Sequence, residues 1–399
     1  MFAALRYPNY RLWFVGQLAS LIGTWMQSTA QQFLVFQLTG SPAFLGYVGF
    51  ASGIASWLFM LYAGTVADRV PRRNLMVVTQ TAMLALAFIL AALTFAGLVQ
   101  PWHIVGLAFL LGIANAFDAP ARQAFVLEMV DREDLANAIA LNATMFNAGA
   151  FAGPAVAGMT YALVGPAWCF VINGVSFIAV IAALLLMKLK PFVPRARGGS
   201  ALEDLREGLN YVRHNGAVRT IILTIGLVSL FGLSFVTLFP AWAVTILGGD
   251  ATTNGLLQSA RGLGALGGAL MIAALGRFKG KGRLLTIGTF VFPALVLLFA
   301  QIRWLPLSLL VLAGAGWGFM ILVNMANTLV QGQVPDELRG RVMGIYTLIF
   351  FGFMTIGSML AGQAATLIGA PLTVTASALI MLAYAGLLWT LAPRLRQLQ

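Results

Sequence analysis

The chain has very little charge for its length. Only 9% of its 399 residues are charged, whereas 60% are hydrophobic. A soluble domain carries roughly 25% charged residues, so the composition excludes a single soluble enzyme, a disordered chain and a fibrous protein. The apolar runs last about twenty residues, which is the length that a membrane-spanning helix requires. An outer-membrane barrel would instead show alternation in segments of roughly ten residues.

Residues that commonly build a chemical site are also scarce. The single cysteine, Cys169, excludes an intramolecular disulfide, and its apolar surroundings favour a packing role. The two histidines, His103 and His214, lie far apart in the sequence, so we predict no metal site and no cofactor. The absence of a GxxxxGKS/T segment excludes ATP-driven transport within this chain. No nucleophile–base pair is apparent, and we therefore expect a protein that is not an enzyme.

The sequence does contain a series of twelve apolar segments, which predicts an all-α membrane protein with twelve transmembrane helices. Their approximate bounds are 12–38, 42–66, 74–98, 102–125, 137–163, 167–188, 218–246, 253–276, 284–301, 305–331, 341–367 and 371–391. Three very short connections contain glycine and proline and predict tight turns. They are Gly40-Ser41-Pro42, Gly165-Pro166 and Gly369-Ala370-Pro371.

Basic residues predict the orientation of these segments in the membrane. The net charge is +12, and all Lys and Arg residues except Arg261 and Arg303 fall at one set of helix ends. Cytoplasmic loops are enriched in these residues, and an even number of spans places both termini on one side. We therefore predict a multi-pass protein of the bacterial cytoplasmic (inner) membrane, with both termini in the cytoplasm and no nucleic-acid partner.

A long polar connection divides the chain into two halves. We predict an N-terminal six-helix bundle at 1–189, a cytoplasmic linker at 190–216 and a C-terminal six-helix bundle at 217–399. Within the linker, Ser200 and Glu203 match a capping box before leucines at helical spacing, which predicts a short amphipathic helix at the membrane surface. A regulatory or partner site is the alternative interpretation of this helix.

The two halves also show a weak internal repeat. Three matches share one constant offset and three others share a second. The matching positions are Gly46 and Gly255, Gly53 and Gly262, Leu75 and Leu284, Glu133 and Glu337, Gly153 and Gly357, and Gly158 and Gly362. Because a duplicated six-span unit is a known transporter architecture, the repeat predicts two pseudo-symmetric bundles.

The connection after the second segment combines a glycine, an acid and clustered arginines. It reads Gly64-Thr-Val-Ala-Asp68-Arg69-Val-Pro-Arg72-Arg73. Gly64 would allow a close helix contact, and Asp68 would pair with the arginines or with a helix N-terminus. An ordinary positive-inside turn would explain the arginines but neither Gly64 nor Asp68. The motif resembles the GxxxDRxxRR signature of the major facilitator superfamily, and the resemblance implies a cytoplasmic gate formed by Asp68, Arg69, Arg72 and Arg73.

Other stretches extend this resemblance. The second-half counterpart of the gate motif, at 276–283, keeps the basic residues but lacks the acid. The fifth segment contains Gly149-Ala-Phe-Ala-Gly153-Pro154-Ala-Val-Ala-Gly158, which resembles the GxxxGPxxxG element of exporters in the superfamily. The element implies export and a gating role for Gly153 and Pro154, and it is also a small-residue packing face. The stretches 115–125 and 130–142 are similar to the enterobactin-exporter branch, which lies near lysophospholipid transporters.

Asp118 and Arg122 are ionisable residues within the fourth segment, where charge is costly and marks a functional candidate. Asp118 lies about 24 Å from the start of the segment, near the cytoplasmic edge of a core roughly 30 Å thick. We interpret the pair as part of the gate, with Asp118 in contact with Arg72 or Arg73. A proton-coupling role for Asp118 and a simple ion pair that reaches the surface are the alternatives.

Arg261 lies about 13 Å into the eighth segment. A guanidinium at that depth must face a water-filled cavity or be paired, and arginine binds carboxylate or phosphate groups bidentately. We therefore predict that Arg261, together with Gln258, contacts an anionic substrate. Hydrogen bonding of Arg261 to Gln258 or to backbone carbonyls is the alternative.

Polar residues follow one face of the first and tenth segments, where the superfamily resemblance implies a central cavity. The predicted substrate contacts at these positions are Gln17, Thr24, Gln27, Gln31, Asn324 and Asn327. Their helical spacing places the members of each set on one side of a helix. Hydrogen bonding between neighbouring helices is the alternative for each of them.

Together these features predict a secondary transporter that works by alternating access around a midplane site. We predict export of a small amphipathic or anionic organic molecule, either a siderophore-like compound or a drug, driven by proton antiport. The predicted partners are that substrate, the proton and the lipid bilayer, and the predicted state is a monomer. The alternatives are a lysophospholipid transporter and, in another class, a non-transporting membrane receptor or scaffold.

Overall fold

The computed structural model of the chain describes residues 3–189, 201–275 and 280–398, and all regular secondary structure in these ranges is helical. The expected all-α fold class is therefore confirmed. The first half of the chain forms α1 (Pro8–Thr39), α2 (Pro42–Arg69), α3 (Arg72–Phe95), α4 (Pro101–Phe125), α5 (Leu135–Val164) and α6 (Pro166–Leu186).

The second half begins with α7 (Ala201–His214) and α8 (Gly216–Leu227). Beyond α8 the helical path continues to Ile246 through two π-helical turns, a 3₁₀ turn and the short α9 (Phe239–Ala241). Pro240 lies in this irregular stretch and lacks the backbone donor that a regular helix needs. The remaining helices are α10 (Ala251–Leu275), α11 (Lys281–Gln301), α12 (Leu305–Gln333), α13 (Asp336–Ile368) and α14 (Ala370–Leu391).

Glycine and proline set the boundaries between several of these helices. Gly40, Gly165 and Gly369 adopt positive φ angles of 62°, 92° and 82° in the turns before α2, α6 and α14. Only glycine adopts such angles without a steric penalty. Proline then occupies the first or second position of each following helix, where its missing N–H has no intrahelical partner to lose. The three predicted tight turns are confirmed.

Nine helices in the described ranges are long and apolar enough to cross a membrane. The three other helices of more than twenty residues are α1, α5 and α10. These three contain the glutamine-rich face, the glycine- and alanine-rich face and the half-buried Arg261, respectively. The chain is therefore a multi-pass membrane protein by length and composition.

The chain divides into two compact units. The first contains the described residues of Met1–Thr39, Ala51–Gly198 and Asp250–Ser259, and the second contains those of Gly40–Phe50, Gly199–Gly249 and Ala260–Gln399. Each unit thus includes a short segment from the other half of the sequence. The first turns of α10 belong to the first unit, and the first turns of α2 belong to the second.

Each unit has its own apolar core. In the first unit, Tyr10, Trp13 and Phe125 are among the largest fully buried side chains. In the second unit, the indole ring of Trp242 stacks on Phe299, with ring centroids 4.6 Å apart. Aromatic side chains of this size contribute much of the buried apolar surface, and this burial stabilises the packing of the helices within each unit.

The predicted linker helix forms as α7 and binds α13. The guanidinium of Arg341 contacts the carboxylates of Asp204 at 2.6 Å and Glu207 at 2.7 Å, and the Tyr211 hydroxyl donates to the carbonyl of Gln333 at 2.9 Å. The predicted capping residue Ser200 lies outside the described residues. An isolated surface ion pair contributes little to stability, but here the branched ion pair attaches α7 to the start of α13 and the hydrogen bond attaches it to the end of α12.

Candidate functional site

Asp118 is a buried charge with partners on every side. Its side chain is almost fully buried on α4. The Thr79 hydroxyl and Nε2 of Gln80, both on α3, donate to Oδ1 of Asp118 at 3.0 Å each. Arg122, one turn later on α4, places its guanidinium 3.7 Å from Oδ2. The carboxylate is thus held at the interface between α3 and α4.

The predicted gate residues form a separate cluster. Arg72 contacts Glu128 at 2.7 Å and Asp68 at 3.8 Å. Arg73 donates to the backbone carbonyl of Leu185 at 3.2 Å, while Arg69 is exposed. The expected contact of Asp118 with Arg72 or Arg73 is not formed. Both arginines lie in the first turn of α3, whereas Asp118 contacts Thr79 and Gln80, about two turns further along that helix.

Two details of the gate motif differ from expectation or lie outside the described chain. A Cβ built on Gly64 would meet no atom within 4 Å, so Gly64 makes no close helix contact in this structure. In the second-half counterpart of the motif, residues 276–279 lie outside the described residues.

The fifth-segment motif packs against two different helices. A Cβ on Gly153 would lie only 2.5 Å from the Cβ of Trp25 on α1, so no larger residue fits there. A Cβ on Gly255, in α10, would overlap the backbone carbonyl of Pro154. The Ser259 hydroxyl donates to the carbonyl of Phe151 at 2.7 Å. Gly153 and Pro154 thus lie where α5 crosses α1 and the first turns of α10.

The internal repeat brings equivalent glycines to two equivalent crossings. In the first unit, Gly255 on α10 lies against Gly158 on α5, and a Cβ on Gly255 would be 3.2 Å from the Gly158 Cα. In the second unit, Gly46 on α2 lies against Gly362 on α13, again with 3.2 Å from the built Cβ to the Cα. Since Gly46 repeats as Gly255 and Gly158 repeats as Gly362, the same pair of positions forms both crossings.

Arg261 is a half-buried charge that has no partner among the described residues. Its Nε atom is buried without a hydrogen-bond partner, and its side chain forms no ion pair with any described residue. The backbone of α10 is pressed against α12 at this point, because a Cβ on Gly316 would overlap the carbonyl oxygen of Arg261. The alternative in which Gln258 binds Arg261 is not realised among the described residues. Oε1 of Gln258 instead accepts from the Thr29 hydroxyl at 3.4 Å, and its Nε2 is buried without a partner.

Asn254 is a residue that the sequence interpretation missed. It lies one turn before Gln258 on α10, is completely buried, and neither Oδ1 nor Nδ2 has a partner in the described chain. The spacing of Asn254, Gln258 and Arg261, at four and three residues, is the signal that would have found it. An asparagine near a helix start is usually a capping residue, so the sequence alone does not mark Asn254 as a binding residue.

The other predicted substrate contacts fall into two groups. On α1, Gln27 accepts from Nδ2 of Asn173 at 2.7 Å and Gln31 donates to the carbonyl of Ile104 at 3.4 Å. These two glutamines therefore join α1 to its neighbours. Gln17 is buried with Oε1 unpartnered among the described residues, and Thr24 is half-buried.

The polar residues of α12 are more accessible and bond locally. Asn324 donates to the carbonyl of Met320 at 2.9 Å, one turn earlier on the same helix, and Gln331 donates to Oδ1 of Asn327. Both Asn324 and Asn327 are half-buried. They keep polar groups available without linking α12 to another helix.

The stretch at 130–142 holds the N-terminus of the chain. The Tyr7 hydroxyl donates to Asp131 at 3.0 Å and to Asp134 at 2.9 Å, and Arg6 forms an ion pair with Asp134 at 2.6 Å. The backbone N–H of Ala4 donates to Asn137 at 2.9 Å. These contacts attach residues 4–7 to the stretch at 130–142. Within the described residues, His, Cys, Asp and Glu form no group of three that would hold a metal ion.

Comparison with known proteins adds a family and a fold. The sequence profile of a family described as "Transmembrane secretion effector" matches residues 1–398. The multidrug efflux pump Tap of Mycolicibacterium fortuitum is 26% identical over 94% of this chain and 93% of its own length. The enterobactin exporter EntS of Shigella boydii is 26% identical over 93% of this chain and 88% of its own length.

A solved structure shares the fold. It is the inward-facing, unoccupied form of a bacterial homologue of the human lysosomal transporter Spinster, and it is similar with a TM-score of 0.74. The similarity covers 98% of both chains at 13% sequence identity. At that identity the likeness concerns the arrangement of helices alone.

Proposed function

The chain belongs to the transmembrane secretion effector family of the major facilitator superfamily, and from that membership we propose that it exports a small amphipathic or anionic organic molecule. A siderophore-like compound or a drug fits this description, because similar proteins export enterobactin or pump out drugs. The proposed architecture has twelve spans, formed by the nine apolar helices together with α1, α5 and α10. They make two six-helix bundles in a bacterial inner membrane, with both termini in the cytoplasm.

The unpartnered guanidinium of Arg261 is the observation that carries the choice of substrate. Burying an unpaired cation within a span costs about 2.5–3.5 kcal/mol on insertion scales. Apolar packing of α10 does not require that charge, since Gly264 and Gly268 already provide its close contacts with α12. An anionic group of the substrate supplies the missing partner.

The two glycine crossings support alternating access. Contacts between small residues bring helix backbones together without interlocking side chains, so such a crossing separates and re-forms at little cost. We assign a gating role to Gly153 and Pro154, which lie beside the α5–α10 crossing. Arg72 gates the cytoplasmic side through ion pairs with Asp68 and Glu128 that break and re-form, and Arg122 through its pair with Asp118. Arg69 and Arg73 add positive charge to the same gate.

Proton antiport is the proposed driving force, with Asp118 as the coupling residue. Protonation would remove the charge that Thr79, Gln80 and Arg122 stabilise. Loss of those charge-assisted contacts would loosen α4 from α3. The binding of a proton would thereby change the relative stability of two conformations.

Transport by purified protein in proteoliposomes tests the proposed function. The probes are carboxyfluorescein, an organic anion, and tetramethylrhodamine methyl ester, a cation with a similar ring system. With an imposed pH gradient, wild type should transport the anion, Arg261→Gln should lose at least about tenfold of that rate, and exposed Arg339→Gln should retain it. Transport of neither probe, but of a labelled lysophospholipid, would overturn the proposal in favour of a lipid transporter. Transport of none of the three would favour a receptor or scaffold.

Crosslinking tests alternating access. Nε2 of Gln363 on α13 donates to the Tyr47 hydroxyl on α2 at 2.8 Å, beside the Gly46–Gly362 crossing. The double variant Tyr47→Cys with Gln363→Cys, bridged by a thiol crosslinker, should stop transport until the bridge is cleaved. Thr224→Cys with Tyr384→Cys is the matched control, because these side chains also touch, at 2.9 Å, but join α8 to α14 away from the crossing. Undiminished transport with the first bridge in place would contradict the mechanism.

A further inference from the structure

Three polar side chains on successive turns of α10 have buried atoms without a partner. They are Asn254, Gln258 and Arg261, and the unpartnered atoms are Oδ1 and Nδ2 of Asn254, Nε2 of Gln258 and Nε of Arg261. Residues separated by three, four and seven positions lie on the same face of a helix. A buried polar group without a hydrogen bond is destabilising, and here three such groups lie in one row.

Packing of α10 does not explain this row. The helix contacts α5 through a neighbouring face, where Gly255 meets Gly158 and Ser259 donates to Phe151. It contacts α12 through Gly264 and Gly268. The polar row itself has one weak hydrogen bond, from Thr29 on α1 to Gln258 at 3.4 Å. A leucine at 254 or 258 would not leave a buried polar atom without a partner, as the amide does.

We propose that Asn254, Gln258 and Arg261 form a linear binding row for an anionic molecule that also carries amide or hydroxyl groups. Arg261 binds the anionic group. Along the helix axis, Gln258 offers a free donor about 4.5 Å away, and Asn254 offers both a donor and an acceptor about 10 Å away. Measured from its anionic group, the ligand therefore has a hydrogen-bond acceptor opposite Gln258 and an amide or hydroxyl group opposite Asn254. Simple fatty acids have no group that bonds to Gln258 or Asn254, and organic cations are repelled by Arg261.

This inference deepens the proposed function and depends on it for access to the row. Asn254 and Gln258 are covered in this structure, and α10 is held by α5 and α1 close to them. Separation of α10 from α5 at the glycine crossing exposes the two amides. The substrate then binds first at Arg261 and contacts the amides as it moves toward the start of α10.

Ligand-induced thermal stabilisation of the purified full-length protein tests the binding row. The principal probe is N-acetyltriglycine, whose amide groups follow its carboxylate at about 3.3–3.6 Å per residue. Octanoate has the carboxylate without the amides, and N-acetyltriglycine amide has the amides without the charge. Wild type should bind N-acetyltriglycine about tenfold more tightly than either comparison probe, because one or two additional hydrogen bonds have that effect.

The variants assign the contacts. Asn254→Leu and Gln258→Leu should reduce binding of N-acetyltriglycine to the level of octanoate and leave octanoate binding unchanged. Arg261→Gln should lose both acids. Ser308→Ala is the control, because the Ser308 hydroxyl on α12 is also buried and unpartnered among the described residues but lies outside the row. The unliganded melting temperature of Asn254→Leu should be equal to or above that of wild type, whereas a structural role for Asn254 would lower it.

Other outcomes overturn the binding row. These are equal binding of the three probes by wild type, or an unchanged preference in both leucine variants. If Asn254→Leu does not fold, Asn254→Ala supplies the same comparison. Failure of the row with continued export of carboxyfluorescein leaves the proposed function intact. Binding as expected without any transport leaves the row intact and contradicts the export function.

Discussion

Helices α4 and α10 each carry a charged side chain within an apolar segment, Asp118 buried and Arg261 half-buried, but the two charges have opposite surroundings. On α4, Asp118 receives hydrogen bonds from Thr79 and Gln80 and lies beside Arg122. On α10, Arg261 has no partner within the described chain, and the same is true of the Asn254 amide and of Nε2 of Gln258. The residues around Asp118 compensate for its charge, whereas those around Arg261 leave it uncompensated.

The difference separates two uses of a buried charge. A charge that the protein itself satisfies is part of the stability of the fold, so its removal is harmful even without substrate. A charge that is left unsatisfied lowers stability and is retained when it binds something else. The comparison can therefore be tested by stability measurements in the absence of ligand, in which the two sites should respond with opposite signs.

Removal of Asp118 should have the largest effect. Asp118→Ala leaves the amide donor of Gln80 and the charge of Arg122 without their acceptor, and breaking a buried pair in this way costs about 3–5 kcal/mol. Thermal unfolding of the purified protein in detergent should show a large decrease in melting temperature. Asp118→Asn should be milder because the amide keeps the shape, but it should abolish transport driven by a pH gradient. Full pH-driven transport by Asp118→Asn would remove Asp118 as the coupling site.

Removal of Arg261 should change stability in the opposite direction. Arg261→Gln takes away an unpaired cation whose burial costs about 2.5–3.5 kcal/mol, so its unliganded melting temperature should equal or exceed that of wild type. Transport of carboxyfluorescein should fall at the same time. Arg261→Lys should recover only part of the transport, because a point charge lacks the planar fork. A melting temperature that falls as far as in Asp118→Ala would erase the contrast between the two helices.

A matched pair of threonines should show a smaller contrast. Thr79 and Thr29 are both buried, and valine closely matches threonine in shape. Thr79→Val loses a donor to a carboxylate at 3.0 Å, worth about 1.5–3 kcal/mol. Thr29→Val loses a bond of 3.4 Å to a neutral amide, so its melting temperature should stay near that of wild type. Equal decreases in the two variants would contradict the distinction.

Glycine substitutions should show where the two helices behave alike. A Cβ on Gly112 of α4 would overlap the Ser52 carbonyl, and a Cβ on Gly264 of α10 would overlap the Ala313 carbonyl. Alanine at either position should cost about 1–3 kcal/mol through overpacking. Gly64→Ala is the control, since its Cβ meets no atom within 4 Å, and alanine there should raise stability by up to about 1 kcal/mol. Melting temperatures of the three variants check this ranking.

Much of the fold follows from local features of the sequence. The turns at Gly40, Gly165 and Gly369 were predictable because a positive φ followed by proline is a local constraint. The linker helix α7 was predictable from leucines at helical spacing. Its attachment to Arg341 was not, since the ion pairs join residues more than a hundred positions apart.

The candidate site was predictable in part. The sequence singled out Asp118 and Arg261, because a charge within an apolar segment is unusual wherever that segment packs. It could not distinguish the partners of Asp118, and the expected contact with Arg72 or Arg73 is replaced by contacts with Thr79 and Gln80. Asn254 was not predicted, because its complete burial depends on the tertiary structure and is not visible in the sequence.

The sequence by itself determined the membrane environment, the helical segments, the family signature and the identity of the two buried charges. All of these depend on composition or on spacing along a single helix. The tertiary structure alone decided which charge is satisfied, where the repeated glycines meet, and that Asn254, Gln258 and Arg261 each keep a buried polar atom without a partner among the described residues. Hydrogen bonding and burial depend on atoms that other helices bring into contact, and the spacing along one helix contains no information about those neighbours.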